Sequence, residues 1–169
     1  MRLELHFGDI TQYRADCIVN AARASLLGGG GVDGAIHKAA GSDLTEFCKI
    51  LGTCKVGEAK LSPGFNLPSK FIIHTVGPRY LFKNDSEFNY LKECYQNSLL
   101  IAKKEKFESL VFSNISTGAY GFPKELAAKI SFEVVSSFLM DNDYPNKVIF
   151  CCYDIENLAI YTSLIKEHI

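Results

Sequence analysis

The chain has 169 residues, of which 47% are hydrophobic and 22% are charged, and its formal net charge at pH 7 is -1. This length predicts a single domain over residues 1–169 that can bury a full core. A nucleic-acid partner is not expected, because proteins that coat nucleic acid normally carry a basic face or tail. A membrane partner is not expected either, since no apolar run approaches the length that spans a bilayer.

The cysteine pattern indicates the compartment. Six cysteines are scattered along the chain without a CxxC pair, at Cys17, Cys48, Cys54, Cys94, Cys151 and Cys152. This scatter favours buried free thiols over a disulfide framework or a zinc site. The first residues alternate between apolar and polar side chains and do not resemble a secretion signal. Free thiols of this kind indicate a reducing cytoplasm and no bound metal. Because every predicted element belongs to one closed core, we also expect a monomer.

Apolar strands alternate with helices along the chain. A half-buried strand is predicted at 2–7, buried strands at 16–20, 71–76, 110–113 and 148–152, and a weaker strand at 58–62. Helices are predicted over 33–54, after a Ser86 cap, from Pro123 onward and over 156–166. Two apolar stripes support the middle two helices: Phe88, Leu91, Tyr95 and Leu99, and Leu126, Ile130, Val134 and Phe138. This order predicts a three-layer α/β/α fold with a central mixed, mostly parallel sheet flanked by helices.

Two glycine-containing loops are candidates for the binding site. Four glycines, at 28–31, lie between a buried strand and the start of a helix. Glycine lets a ligand approach bare backbone, and the N–H groups of a helix N-terminus attract anions. A second loop, at 114–122, also follows a strand, precedes a helix and contains no lysine or arginine. Ligands of such folds bind at the carboxyl ends of the strands, so the two loops predict a cradle for a diphosphate.

Two familiar glycine motifs do not explain the first loop. A P-loop requires a lysine and a serine or threonine after its last glycine, whereas Val32, Asp33 and Gly34 follow here. The spacing Gly29-x-Gly31-x-x-Gly34 fits a dinucleotide fingerprint, but the sequence shows no second strand ending in a ribose-binding acid. A nicotinamide dinucleotide enzyme is therefore an unfavoured alternative that a test of NADH binding would decide.

Ordered blocks of the sequence together resemble the macrodomain family, specifically its MacroD-type branch of ADP-ribose-binding proteins and ADP-ribosyl hydrolases. The blocks are GDIT at 8–11, the segment 16–41, NLP at 66–68, IIHTVGP at 72–78, ISTGAYGFP at 115–123 and CYD at 152–154. The similarity runs almost from end to end. It implies that the chain binds ADP-ribose and its acyl esters, that mono-ADP-ribosylated proteins are further partners, and that no metal or redox cofactor is needed.

The resemblance also assigns binding roles. Asp9 corresponds to an acid on the adenine amino group, Ile10 to an apolar wall and Tyr153 to a residue flanking the base. The residues alone also allow Asp9 to be a turn acid and Tyr153 an ordinary, partly buried tyrosine. Phe122 corresponds to an aromatic on the distal ribose, or it anchors in the core before Pro123. The loops around the diphosphate and distal ribose are Gly30, Gly31 and Val32, and Ser116, Thr117, Gly118, Ala119 and Tyr120.

The candidate catalytic residues are Asp33, Asn20 and Arg23. In hydrolytic members of the family, the aspartate matching Asp33 orients or activates the attacking water, assisted by a phosphate of the substrate. A carboxylate is a weak base near pH 7, so water placement must supply much of the effect. The plain alternative is that Asp33 caps a helix starting at Gly34. No histidine is assigned a catalytic role: His74 is expected in the core, and a packing role is favoured for His37.

The segment around Asn20 departs from the family at one position. Asn20 matches the first asparagine of the NAAN segment, and either supports the loop or touches the distal ribose. The second asparagine is replaced by Arg23, which is larger, permanently charged and only a donor. Arg23 either pairs with Asp33 or a phosphate, leaving a weakly active binder, or turns into solvent. The leading expectation is hydrolysis of esters at the distal ribose, with O-acetyl-ADP-ribose or mono-ADP-ribosylated aspartate and glutamate as substrates. The alternative is a non-catalytic ADP-ribose reader.

Overall fold

The computed structural model describes residues 2–168, which build one six-stranded sheet with helices on both faces. The strands are β1 (Leu3–Phe7), β2 (Cys17–Ala21), β3 (Ala59–Pro63), β4 (Phe71–Thr75), β5 (Ser109–Phe112) and β6 (Lys147–Cys152). The helices are α1 (Gly31–Ala40), α2 (Ser42–Leu51), α3 (Asp85–Lys104), α4 (Lys124–Asp141) and α5 (Ile155–Glu167). Every predicted strand is present, and the ends of each lie within one residue of the predicted bounds.

The sheet has the order β1-β6-β5-β2-β4-β3. All neighbouring strands run parallel except β3, which is antiparallel to β4. The prediction of a mixed, mostly parallel sheet is therefore confirmed. Because five strands share one direction, their carboxyl ends and the loops that follow them meet at the same edge of the sheet.

Alternating side chains of the strands divide the core into two layers. Ile149 and Cys151 of β6 pack towards α1 and α2, whereas Phe150 and Cys152 pack towards α3, α4 and α5. This alternation follows from the two-residue period of a strand. All six cysteines are buried and free, as predicted. Within residues 2–168, no helix is both long and apolar enough to cross a membrane.

The predicted helical region 33–54 is wrong in its extent. It consists of two helices, α1 and α2, separated by Gly41, whose φ is +92°. A residue with a positive φ of this kind ends a helix, and glycine adopts this backbone conformation without steric cost. The break turns α2 back over the sheet, so that Leu44 and Ile36 share the same core layer.

The starts of the next two helices also differ from the prediction. Asn84, not Ser86, caps α3, because its side chain accepts from the Glu87 N–H while the Glu87 carboxylate accepts from the Asn84 N–H. Pro123 is the cap residue before α4 rather than its first helical residue.

The predicted apolar face of α4 was partly wrong. Leu126 is 40% exposed, whereas Ala127, Ala128 and Val135 are buried. Small alanines allow α4 to approach its neighbours, so they carry the contact that the larger leucine was expected to make.

Candidate functional site

A cleft of about 650 Å³ opens at the carboxyl ends of the parallel strands. It extends from the loop after β1, past the ends of β6, β5 and β2, to Gly77 after β4. Its volume lies within the roughly 300–1,000 Å³ typical of small-molecule sites. The predicted site residues that line it are Asp9, Ile10, Arg23, Gly30, Gly31, Val32, Asp33, Ser116, Thr117, Gly118, Ala119, Tyr120 and Tyr153.

The first glycine loop leads directly into α1. Gly30 is the cap residue and offers no side-chain hydrogen bond to the helix, so the positive end of the helix dipole lies open to the cleft. Gly31 has a φ of +58°, which favours glycine. A Cβ added at Gly30 or Gly31 would meet no protein atom within 4 Å. These two glycines therefore leave room for a ligand rather than for a neighbouring side chain.

The second loop is closed by its own backbone. The Phe122 N–H donates to the Ser116 carbonyl at 2.9 Å, and the Gly121 N–H donates to the Gly118 carbonyl at 3.0 Å. Ser116 adopts a φ of +65°, and its buried hydroxyl has no hydrogen-bond partner among the described residues. Ser116 lines the cleft, but its hydroxyl oxygen is buried and lies beside Gly77.

Asp33 lies in the cleft wall as the third residue of α1. It is 3% exposed, and its Oδ1 accepts a hydrogen bond from Asn20 Nδ2 at 2.8 Å. His37 Nε2 lies 3.6 Å from the same oxygen. The other oxygen, Oδ2, is buried and has no hydrogen-bond partner within residues 2–168. The helix begins at Gly31, so the alternative that Asp33 caps a helix at Gly34 is wrong.

Asn20 lies behind Asp33 and does not line the cleft. Its Nδ2 also lies 3.1 Å from His74 Nδ1, and His74 Nε2 lies 2.8 Å from Ser62 Oγ. Burial, followed by the charge of His37, lowers the pKa of His74 to about 3, so this histidine is neutral. The position of Asn20 fits support of Asp33 rather than contact with a ligand. His74 is the buried, hydrogen-bonded core histidine that was expected.

Phe122 does not line the cleft, so the prediction that it packs on the distal ribose is wrong, and the alternative that it anchors in the core holds. Its side chain is 1% exposed, and its ring lies 4.9 Å from Tyr80 and 5.7 Å from Phe88 between ring centroids. The ring anchors the second loop in the core. An aromatic residue before a helix turns inward here because α3 offers an apolar partner.

The opposite end of the cleft is more open. Asp9 Oδ1 accepts from the Thr11 N–H at 2.9 Å and from its hydroxyl at 2.7 Å, which caps a short 3-10 helix over Ile10–Gln12. The turn therefore does not use Oδ2. Ile10 is buried in the cleft wall, and Tyr153 is 81% exposed at the rim. Tyr153 is thus not the partly buried tyrosine of the plain alternative.

Arg23 is exposed at the rim near the first glycine loop. A Cβ added at Gly29 would lie 2.5 Å from Arg23 Nε, so the arginine stem lies against the glycine backbone. Among the ion pairs of the described residues, none joins Arg23 to Asp33. Of the alternatives for Arg23, pairing with Asp33 is therefore not met, and the exposed side chain fits the one in which it turns into solvent.

One side-chain cluster has the composition of a metal site. The possible ligand atoms of His37, Cys48 and His74 all lie within 4.8 Å of one another. Both ring nitrogens of His74 are engaged by Asn20 and Ser62, however, and burial and then Asp33 raise the pKa of the Cys48 thiol to about 11. Sequence spacing could not reveal this cluster, because its members come from α1, α2 and β4. The hydrogen bonds of His74 identify it as part of the polar network that includes Asn20 and Asp33.

Some cleft residues were missed by the sequence reasoning. Gly77 follows β4 and Lys124 opens α4, whereas Asn114 belongs to the predicted second loop but was given no role of its own. Gly77 leaves space for Ser116, since a Cβ there would overlap its hydroxyl. The signal that could have found Gly77 is its position shortly after a buried parallel strand.

Comparison with known proteins places this architecture in a family. A family model described as Macro domain matches residues 19–131. The chain belongs to the macrodomain family. This macrodomain is 48% identical over 159 residues to a macro domain-containing protein of Ralstonia nicotianae, covering 94% of this chain and 91% of that protein. It is 46% identical over 170 residues to a Salmonella newport protein named O-acetyl-ADP-ribose deacetylase, covering 98% of this chain and 95% of that protein.

Solved structures give the same result. A mutant macrodomain of Oceanobacillus iheyensis with ADPR superposes on this macrodomain with a TM-score of 0.94 and 41% identity, covering 98% of this chain and 92% of that chain. A Trypanosoma brucei macrodomain in complex with ADP-ribose gives a TM-score of 0.91 and 34% identity, covering 97% of this chain and 69% of that chain. The family predicted from the sequence blocks is confirmed.

Proposed function

We propose that this macrodomain binds ADP-ribose and hydrolyses an ester bond at its distal ribose. The substrates are O-acetyl-ADP-ribose, mono-ADP-ribosylated aspartate or glutamate side chains, or both. The observation that carries the proposal is the buried Asp33 carboxylate in the wall of a cleft between two glycine loops, because its Oδ2 has no hydrogen-bond partner within residues 2–168. Relatives named as O-acetyl-ADP-ribose deacetylases and structures with ADP-ribose support it.

The two ends of the cleft suit the two ends of this ligand. Asp9 follows β1 and Asp33 follows the loop after β2, and these strands are three places apart in the sheet. At the usual strand spacing this separation is about 14 Å. Asp9, Ile10 and Tyr153 would hold the adenine, while the two loops would hold the diphosphate through backbone N–H groups and the α1 dipole. The distal ribose would then lie beside Asp33.

The chemistry follows from this arrangement. Asp33 Oδ2 accepts a hydrogen bond from a water molecule and orients its oxygen towards the ester carbonyl carbon. Attack adds the water oxygen to the acyl carbon, the bond to the ribose oxygen breaks, and that oxygen takes a proton. The products are a carboxylic acid and ADP-ribose. Since a carboxylate is a weak base at pH 7, positioning supplies most of the acceleration, with a substrate phosphate helping to accept the proton.

Single-turnover hydrolysis of O-acetyl-ADP-ribose and of a glutamate-ADP-ribosylated protein tests the proposal directly. The affinity for ADP-ribose is measured calorimetrically on the same sample. We expect tight binding and release of product from at least one substrate, and loss of release in Asp33→Ala. Tight binding without release would identify a reader instead. Absence of binding would contradict the assignment of both loops.

Arg23 is the observation that favours the reader as a second candidate, because it replaces the asparagine of the family segment. Arg23 is exposed and makes no ion pair with Asp33, so we expect Arg23→Asn to change turnover by less than about threefold. Lys38→Asn, which removes an exposed cation of α1 outside the cleft, is the matched control. A large gain in turnover with unchanged ADP-ribose affinity in Arg23→Asn alone would show that the native chain is a reader with a lapsed site.

A further inference from the structure

A buried chain of hydrogen bonds connects Asp33 with the edge strand β3. Ser62 Oγ lies 2.8 Å from His74 Nε2, His74 Nδ1 lies 3.1 Å from Asn20 Nδ2, and Asn20 Nδ2 lies 2.8 Å from Asp33 Oδ1. All four residues are at most 3% exposed. These hydrogen bonds cross three neighbouring strands, since Asn20 is in β2, His74 is in β4 and Ser62 is in β3. Asn20 and His74 are direct partners in the β2–β4 register.

Each link of the chain has one allowed direction. The Asp33 carboxylate only accepts, so Asn20 must turn its Nδ2 rather than its Oδ1 towards it. The second hydrogen of the same Nδ2 points to His74 Nδ1, which must therefore offer a lone pair. His74 is then neutral and carries its proton on Nε2, from which it donates to Ser62 Oγ. The Ser62 hydroxyl in turn donates to the Pro63 carbonyl at 3.1 Å.

The hydrogen bond from Asn20 determines which oxygen of Asp33 lacks a protein partner among the described residues. Oδ1 is held by Asn20, whereas Oδ2 has no partner within residues 2–168. His37 Nε2 also faces Oδ1, but at 3.6 Å it is too distant for a hydrogen bond. Asn20 is therefore the group that fixes the rotation of the carboxylate, and His74 fixes the rotation of the Asn20 amide.

We propose that His74 is a positioning residue for the hydrolysis, which orients Asp33 through Asn20 so that Oδ2 stays free to hold the attacking water. This inference rests on the proposed function. Water attack requires a carboxylate held to within a fraction of an ångström, because a misplacement of about 1 Å can cost about 100-fold in rate. Asn20, which holds Asp33 directly, depends on His74 for its own orientation.

The test compares two substitutions of His74. His74→Phe keeps a planar ring but removes both hydrogen-bonding atoms, whereas His74→Gln keeps an amide oxygen to accept from Asn20 and an amide nitrogen to donate to Ser62. We expect His74→Phe to lower kcat on O-acetyl-ADP-ribose by about tenfold or more, with ADP-ribose affinity unchanged within about threefold. His74→Gln should recover most of the rate. Ser62→Ala, which loosens only the far end, should cause a smaller loss.

A double-mutant cycle separates positioning from general damage to the fold. If His74 acts through Asp33, adding His74→Phe to Asp33→Ala should cause no further loss of rate. An equal loss in both backgrounds, or a loss of affinity as large as the loss of kcat, would overturn the proposal. Where His74→Phe does not fold, the same cycle is run with Ser62→Ala, and an equal loss in both backgrounds again overturns it.

A structural measurement keeps this inference distinct from the proposed function. Hydrogen exchange of the Asn20 side-chain amide is followed by NMR, together with the ring nitrogens of His74. We expect slow exchange in the wild type and in His74→Gln, fast exchange in His74→Phe, and a proton on Nε2 of His74. If the wild-type protein hydrolyses neither substrate, the proposed function fails. The exchange rates of the Asn20 amide then test the hydrogen-bond arrangement by itself, and equal rates in all three proteins would overturn it.

Discussion

Asp9 and Asp33 line the same cleft but are held in different ways. Asp9 is exposed, and its hydrogen bonds go to Thr11, two residues away. Asp33 is buried, and its partner Asn20 is 13 residues away and is itself in contact with His74, a further 54 residues along the chain. One carboxylate is oriented by its own turn and the other by the packing of three strands. We therefore expect substitutions at the Asp9 end to change affinity and those at the Asp33 end to change the rate of chemistry.

The largest effect is expected between the two ends, at Gly31. Gly31→Glu would project a side chain and a negative charge from a residue whose Cβ has no protein neighbour within 4 Å. We expect loss of detectable ADP-ribose binding by calorimetry, whichever end of the ligand contributes more. Gly52→Glu is the matched control, because Gly52 also has a positive φ, +79°, and an open Cβ position but lies outside the cleft. Equal binding by both variants would show that the first loop is not the cradle.

Asp33→Ala should separate chemistry from affinity at the buried end. We expect the single-turnover rate to fall by about 100-fold or more, because the water loses its acceptor, and ADP-ribose affinity to change by less than about threefold. Asp33→Asn, which keeps the size of the side chain, should be equally slow. A parallel loss of rate and affinity would mean that Asp33 only shapes the cleft, and the contrast with Asp9 would then disappear.

Asp9→Ala should have the opposite signature. If Oδ2 accepts a hydrogen bond from the adenine amino group, affinity for ADP-ribose should weaken by about fivefold to 100-fold, with little change in the rate from bound substrate. Asp9→Asn controls for the turn, since its amide oxygen still accepts from Thr11 while its nitrogen cannot accept from adenine. Normal affinity in Asp9→Asn would attribute the loss in Asp9→Ala to the turn and remove the adenine assignment.

The same contrast explains what could be predicted from the sequence. The strands were recovered to within one residue because buried parallel strands form short apolar runs that need no tertiary information. The two loops were located because each lies between such a run and a helix, and their individual residues were assigned from the family resemblance. The break at Gly41 was missed, because the apolar pattern continues through it and only the backbone conformation separates α1 from α2.

Asp33 and Asn20 of the buried end were identified from the sequence, but the contacts that hold them could not be. Asn20 was identified, but its contacts with His74 and Asp33 depend on the register between β2 and β4. For Phe122 the sequence left open a contact with the ligand or a place in the core, and its packing against Tyr80 and Phe88 decides for the core. Local patterns therefore located the surface of the cleft, whereas tertiary packing decided which side chains face it.

The smallest expected effect concerns the neutral His74 of the buried end. Burial, then His37, lowers its pKa from 6.5 to about 3 in the folded state. Below pH 6.5 the unfolded chain therefore takes up a proton that the folded chain refuses, and the free energy of unfolding falls as the pH falls. One such group contributes up to about 1.4 kcal/mol per pH unit.

Urea denaturation of the wild type and of His74→Gln between pH 5 and 8 measures this contribution. We expect the His74→Gln curve to be shallower below pH 6.5 and parallel to the wild type above pH 7. Equal slopes below pH 6.5 would mean that His74 takes up its proton in the folded state, which would remove the lone pair that holds Asn20.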